Sequence, residues 1–151
     1  MPSGRRAGQH FDATHHVTTE ALIFLGELDP ENVETYTVTA FWLRLRMHKD
    51  QEAEQVLREG LRNNPQSYEI LFELGRLYDE SYHDEARARN VWELAAKKWL
   101  ALPADAQTEY KSAFDDIAVN LSRLEEDAGN LPQSIHWLEI AQKVSPIPDV
   151  L

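Results

Sequence analysis

Apolar residues recur along this chain at spacings of three and four, the period of a helix that buries one face. The pattern is densest between residues 66 and 101. Leu71, Leu74, Gly75 and Tyr78 fall at i, i+3, i+4 and i+7, and Ala88, Trp92 and Ala95 form a second stripe of the same kind. Two such stripes, joined by a short polar segment, predict two amphipathic helices folded back on each other. Gly75 has no side chain, so the second helix can approach closely there.

The hairpin repeats. A shift of 35 residues places Pro30 on Pro65, Tyr36 on Leu71, Ala40 on Gly75 and Leu43 on Tyr78. It also places Ala53 on Ala88, Leu57 on Trp92 and Gly60 on Ala95. A third unit aligns Leu121 and Ser122 with Leu74 and Gly75, and Leu138 and Ala141 with Trp92 and Ala95; Pro146 closes it. Ser122 and Ser134 are 12 apart, one less than Gly75 and Ala88. The first two units therefore carry one extra residue, expected in the turn between their helices. Residues 103–114 are an insertion before the third unit. Tyr110, Phe114, Ile117, Leu121 and Leu124 keep the helical period through it and predict one long helix.

The predicted helices are 16–28, 31–47, 50–63, 66–81, 84–101, 104–127 and 131–144. Asp29 is the expected N-cap of the second, with Pro30 at its first position. Asp50 and Asp84 are expected to cap the helices at 50 and 84. Residues 1–15 read as an irregular tail and 16–151 as a single helical domain. Each hairpin buries only part of its apolar surface, and stacking completes the core. Trp92, Tyr78, Tyr36 and Trp137 should supply much of the buried area, and Trp42 and Trp99 also read as core. An incomplete first unit leaves an apolar face around Leu22, Ile23 and Leu25, for the tail or a second copy of the chain (a homo-oligomer) to cover.

These units resemble the tetratricopeptide repeat family. Its motif has large, Leu, small and Tyr positions on a first helix, small, aromatic and small positions on a second, then Pro. Leu71, Leu74, Gly75, Tyr78, Ala88, Trp92 and Ala95 fill the first seven, and the likeness covers roughly residues 20–148. The resemblance implies an all-α fold: an α-α superhelix (TPR-like solenoid) of about three helical hairpins plus an N-terminal helix. The repeats fall at about 31–65, 66–102 and 103–148. It also implies a scaffold that takes a peptide or partner helix in a concave groove lined by the first helices. The corresponding positions are Glu34, Thr37, Phe41 and Arg44, then Glu69, Phe72, Arg76 and Asp79, then Asp116, Val119, Arg123 and Glu126. Members that clamp chaperone C-terminal carboxylates need Lys, Asn and Arg where this chain has Thr37, Phe41, Glu73, Asp116 and Asn120, so that sub-function is not expected. Residues 88–95 also resemble the second-helix signature of the half-a-TPR family of RNA-processing scaffolds, which has the same architecture.

Composition narrows the reading. The 151 residues are 42% hydrophobic and carry a net charge of −11, with no cysteine. That excludes disulfides and thiolate chemistry and disfavours nucleic acid and anionic membranes as partners. No apolar run approaches the ~18 residues of a membrane span, and a soluble, cytoplasmic protein is expected. No phosphate-binding glycine loop, G-x-S-x-G or H-E-x-x-H motif occurs. Asp115-Asp116 and Glu125-Glu126-Asp127 read as solvated surface charge. His10, Asp12, His15 and His16 form the one dense polar cluster, and an alternative reading makes it a metal- or ligand-binding regulatory module. A further alternative is an accessory domain of a larger enzyme. The leading expectation is a non-enzymatic protein–protein scaffold with no cofactor and no metal.

Overall fold

The computed structural model describes residues 29–144. The predicted helix at 16–28, the tail histidines and Pro146 lie outside the described residues. Every regular element among the described residues is helical. The chain divides into two compact units, Met1–Pro65 and Gln66–Leu151.

In the first unit, α1 (Val33–Phe41) continues as a π-helical segment, Trp42–Arg46, and folds back as α2 (Asp50–Asn63). Glycine sets the closeness of the pair. A Cβ on Gly60 would lie 2.6 Å from Cγ of Tyr36, so no larger residue fits while that ring stays in place. Asn64 ties the two ends of the hairpin together: its Nδ2 donates to the carbonyls of Pro30 (2.7 Å) and Gly60 (3.0 Å). The cap of α1 is Asn32, whose side chain accepts from the Thr35 N–H at 3.3 Å. This corrects Asp29, whose carbonyl instead accepts from the Asn32 N–H in a turn around Pro30. Asp50 is likewise not a cap. Lys49 holds that place, and Asp50 lies in the first turn, where a carboxylate favours the helix dipole.

The second unit holds two hairpins. α3 (Tyr68–Arg76), with its π-helical extension Leu77–Ser81, pairs with α4 (Glu85–Leu100). The short α5 (Ala104–Glu109) leads to α6 (Lys111–Asp127), which pairs with α7 (Leu131–Lys143). Ser67 and Asp84 cap α3 and α4 through the Ile70 and Arg87 N–H groups. Trp92 lies across Gly75 with no exposed surface, and its indole Nε1 donates to the Phe72 carbonyl at 3.0 Å. Ser122 and Ser134 hold the equivalent small positions in the α6–α7 pair, and their buried hydroxyls are 2.7 Å apart.

α4 also packs on α6, which stacks the two hairpins. Trp99 and Phe114 meet with ring centroids 4.6 Å apart. Trp99 Nε1 donates to the carbonyl of Tyr110 at 2.9 Å. The helix expected over 104–127 breaks at that residue, which carries φ −106° and ψ 27°. The carbonyl that accepts the indole belongs to the residue between the two helices.

Glu125 overturns the expectation of a solvated acidic face. It is 5% exposed and pairs with Arg89 of α4, because it occupies the inward position held by Tyr78 in the preceding repeat. Removing one member of such a pair would strand a buried charge. The alignment of Leu138 with Trp92 also shifts by one residue. Trp137, expected in the core, and Ser134 are the buried side chains of α7, while Leu138 is exposed.

The extra residue of the first two repeats is not in their turns. Residues 47–49, 82–84 and 128–130 form connecting turns of equal length. The extra residue lies inside the first helix, which ends in π form in both long repeats and in α form in the third. Met47 N–H and Tyr82 N–H bond five residues back, to Trp42 and Leu77; Ala128 N–H bonds four back, to Leu124. A π segment is an α-helix that has absorbed one residue. The middle residue of each turn is left-handed: His48 (φ 56°), His83 (φ 53°) and Gly129 (φ 80°).

Two stability changes follow. Trp92→Ala should cost about 3–5 kcal/mol, read as a lower urea midpoint. His83→Gly should gain up to about 1 kcal/mol, because the left-handed conformation costs a non-glycine residue about that much. In the same urea titration His83→Val should lose stability.

Candidate partner-binding surface

The positions marked by the sequence fall into two groups, one in each unit. On α1 and its extension, Glu34 and Phe41 are exposed and Thr37 is half-buried, its hydroxyl donating to the Glu34 carbonyl at 3.1 Å. Arg44 is 6% exposed, so its side chain lies within the fold rather than open to a ligand. Phe41 packs edge-on against Trp42, with centroids 6.5 Å apart. Arg46 lies over the Trp42 ring at 5.4 Å.

In the second unit the positions come from α3, its π extension and α6. Glu69, Asp116, Val119, Arg123 and Glu126 are exposed, and Phe72, Arg76 and Asp79 are half-buried. Arg123 of α6 reaches Asp79 of the preceding hairpin, Nη2 to Oδ2 2.7 Å. It also bonds Asn120 Oδ1 at 3.2 Å and lies 3.9 Å from Asp127. Arg76 sits between Glu73 (3.7 Å) and Glu80 (3.6 Å). The arginines expected to grip carboxylates of a ligand are thus already paired within the protein. A ligand carboxylate would have to exchange with these partners. The side chains of Arg123 and Arg76 keep 44% and 33% of their surface, and ion pairs at solvent-exposed sites contribute only about 0–1 kcal/mol. Asp79 (15%) and Glu73 (20%) are more covered, which raises the cost of exchange there.

The apolar part of this surface is Phe72 and Val119, which share one repeat position. Val119 is 56% exposed. The Phe72 ring rests against Trp92 at 6.3 Å, and its carbonyl is fixed by the Trp92 indole. One pair of surface residues, Phe72 and Asp79, is therefore tied directly to the hairpin core and to the neighbouring hairpin. The repeat pattern marks these positions. It does not mark Asp79 as the partner of Arg123, because that contact depends on rotamers and joins residues 44 apart.

Tyr68, beside Glu69 at the start of α3, is buried, and its phenol is pushed up to about 12. Burial is the main cause, followed by the charges of Glu69, Tyr110 and Glu109. Among the described residues no group of His, Asp and Glu could hold a metal ion. The tail cluster around His10 lies outside them. No helix among the described residues is long and apolar enough to cross a membrane.

No family model matches this chain, and no curated protein matches it. Solved structures do. The crystal structure of MamA is similar over 93% of this chain and 92% of that one, at 16% identity and a TM-score of 0.43. That likeness is too distant to say what the chain does. The helical hairpins, with a glycine against a large ring in two of them and a serine against a serine in the third, are tetratricopeptide-like in form on their own geometry.

Alkaline titration tests the environment of Tyr68. The phenol ionises near 10.0 ordinarily and near 12 in the fold, so the folded state is favoured while it is protonated. Stability present below pH ~10 should fall as pH rises toward ~12. Tyr68→Phe should remove the latest-ionising component from the tyrosinate absorbance titration and flatten that part of the stability profile.

Proposed function

We propose that this protein is a non-catalytic scaffold of the tetratricopeptide type that binds an extended peptide or a helix of a protein partner. The binding surface is the outward side of α3, its π extension and α6: Glu69, Phe72, Arg76, Asp79, Asp116, Val119 and Arg123. Glu34, Thr37 and Phe41 give the first unit a contact patch of its own. Arg44 is buried and stands apart from that patch. The observation that carries this reading is the Arg123–Asp79 bond. It joins equivalent faces of two successive hairpins, with exposed Val119 on one and half-buried Phe72 on the other. An apolar strip edged by exchangeable ion pairs suits a partner with alternating apolar and charged side chains.

The pairs also shape selectivity. A ligand carboxylate competes with Asp79 for Arg123, and a ligand cation competes with Arg123 for Asp79. Either exchange leaves one protein charge to be satisfied by water, so neither sign of ligand is strongly favoured there. Discrimination then comes from the apolar contacts at Phe72 and Val119.

Peptide-display selection against the folded chain tests this. Selected peptides should lose about tenfold or more in affinity on Val119→Asp and on Phe72→Ala. Circular dichroism and the urea midpoint would check that each variant still folds. Selected peptides indifferent to both changes would sink the assignment.

A further inference from the structure

The last helix of the second unit carries an uncovered apolar stripe. α7 is turned so that Ser134 and Trp137 lie inward, and Leu138 comes out beside Leu131 and Ile135. These three fall at i, i+4 and i+7, one side of a helix. They keep 57%, 54% and 46% of their surface. Gln142, one turn further and also exposed, ends the stripe with a polar side chain. None of the four belongs to the partner-binding surface proposed above. Counted from the caps Asp84 and Asn130, Ile135 stands at the place of Arg89 on α4. Arg89 meets Glu125 of α6, the helix that packs on α4. An aliphatic side chain in that place suits an apolar neighbour rather than a carboxylate. Among the described residues no helix follows α7 to supply one.

We propose that the stripe is covered by α7 of a second copy of this chain, packed antiparallel across a two-fold axis. Such pairing needs a face that matches itself when reversed, and this one does. The stripe from Leu131 to Gln142 is centred between His136 and Trp137. Reversal about that point sets Ile135 opposite Leu138 of the second copy, and Leu131 opposite the aliphatic stem of its Gln142. The charges also match. His136 and Glu139 are exposed on one flank of the stripe. The same reversal brings Glu139 to within about 3 Å, along the helix axis, of His136 of the second copy, and the two-fold makes two such pairs. The net charge of −11 opposes association of copies in general. α7 itself, however, holds one carboxylate, Glu139, and one ammonium, Lys143, so the face is balanced. One pair of helices about 20 Å long buries less than a standard interface, so the dimer belongs to the weak, reversible class.

Sedimentation equilibrium of the full chain, from about 10 μM to about 1 mM, should show monomer and dimer in exchange. Ile135→Asp should lower the association constant about tenfold or more. Leu94→Asp, at an exposed site of α4, should leave it unchanged. Circular dichroism would check that both variants fold. Glu139→Arg should weaken the dimer, and adding His136→Glu, which restores opposite charges across the axis, should recover it. A chain that stays monomeric over the whole range would overturn the proposal and leave the stripe to a different protein. Association that survives Ile135→Asp would also overturn it, by assigning self-contact to another face. Failure of the double charge change to recover the dimer would overturn the antiparallel register.

Discussion

The contact of a large ring with a glycine on the facing helix decides the geometry of the first two hairpins. A Cβ on Gly75 would meet Nε1 of Trp92 at 2.1 Å, and one on Gly60 would meet Cγ of Tyr36 at 2.6 Å. The two cases are mirror arrangements: the glycine is on the first helix in one hairpin and on the second helix in the other. Each lets two backbones approach until the ring fills the gap. The Trp92 indole adds direction, because its bond to the Phe72 carbonyl fixes where the ring lies along α3. The surface residues Phe72, Arg76 and Asp79 are carried by the same helix, so their positions inherit that fixation.

The second unit shows how a core of this kind is joined to the next layer. α4 serves both sides: Trp92 faces α3, and Trp99 meets Phe114 of α6. The buried Glu125–Arg89 pair lies across the same junction. An ion pair in that position adds little net stability compared with an apolar contact, but it penalises any sliding of α6 along α4 that would separate the charges. The aromatic stack and the ion pair thus set spacing and register respectively.

Much of this was legible in the residues. The limits of α2, the capping by Asp84 and the facing of Gly75 and Trp92 follow from side-chain size and spacing alone. The misses share a cause. Glu125 reads as surface charge because its partner Arg89 is 36 residues away. The break at Tyr110 depends on its carbonyl accepting from Trp99, and backbone acceptors leave no mark in a side-chain pattern. Trp137 is buried as expected, but the exposure of Leu138, aligned with Trp92, depends on how α7 is rotated against α6. For the candidate surface, exposure could be anticipated from the repeat, and Glu73 and Glu80 stand at helical spacings from Arg76, but the pairing of Arg123 with Asp79, 44 residues away, could not be read. Arg44 shows the reverse: a position that the repeat places at the surface, yet is buried here.

The π-helical ends of the two first helices bear on how such a chain tolerates change in length. A residue added to a tight turn must be accommodated by the turn's few dihedrals, and the left-handed residues at 48, 83 and 129 leave those little freedom. Added to a helix end, it widens one hydrogen-bonded ring, and the turn beyond keeps its form. The cost falls on a single loop of backbone rather than on the packing of Trp92 or Tyr36. Helix length and turn shape are thereby uncoupled, so a hairpin can gain or lose a residue in genetic drift while its glycine-to-ring contact stays in register.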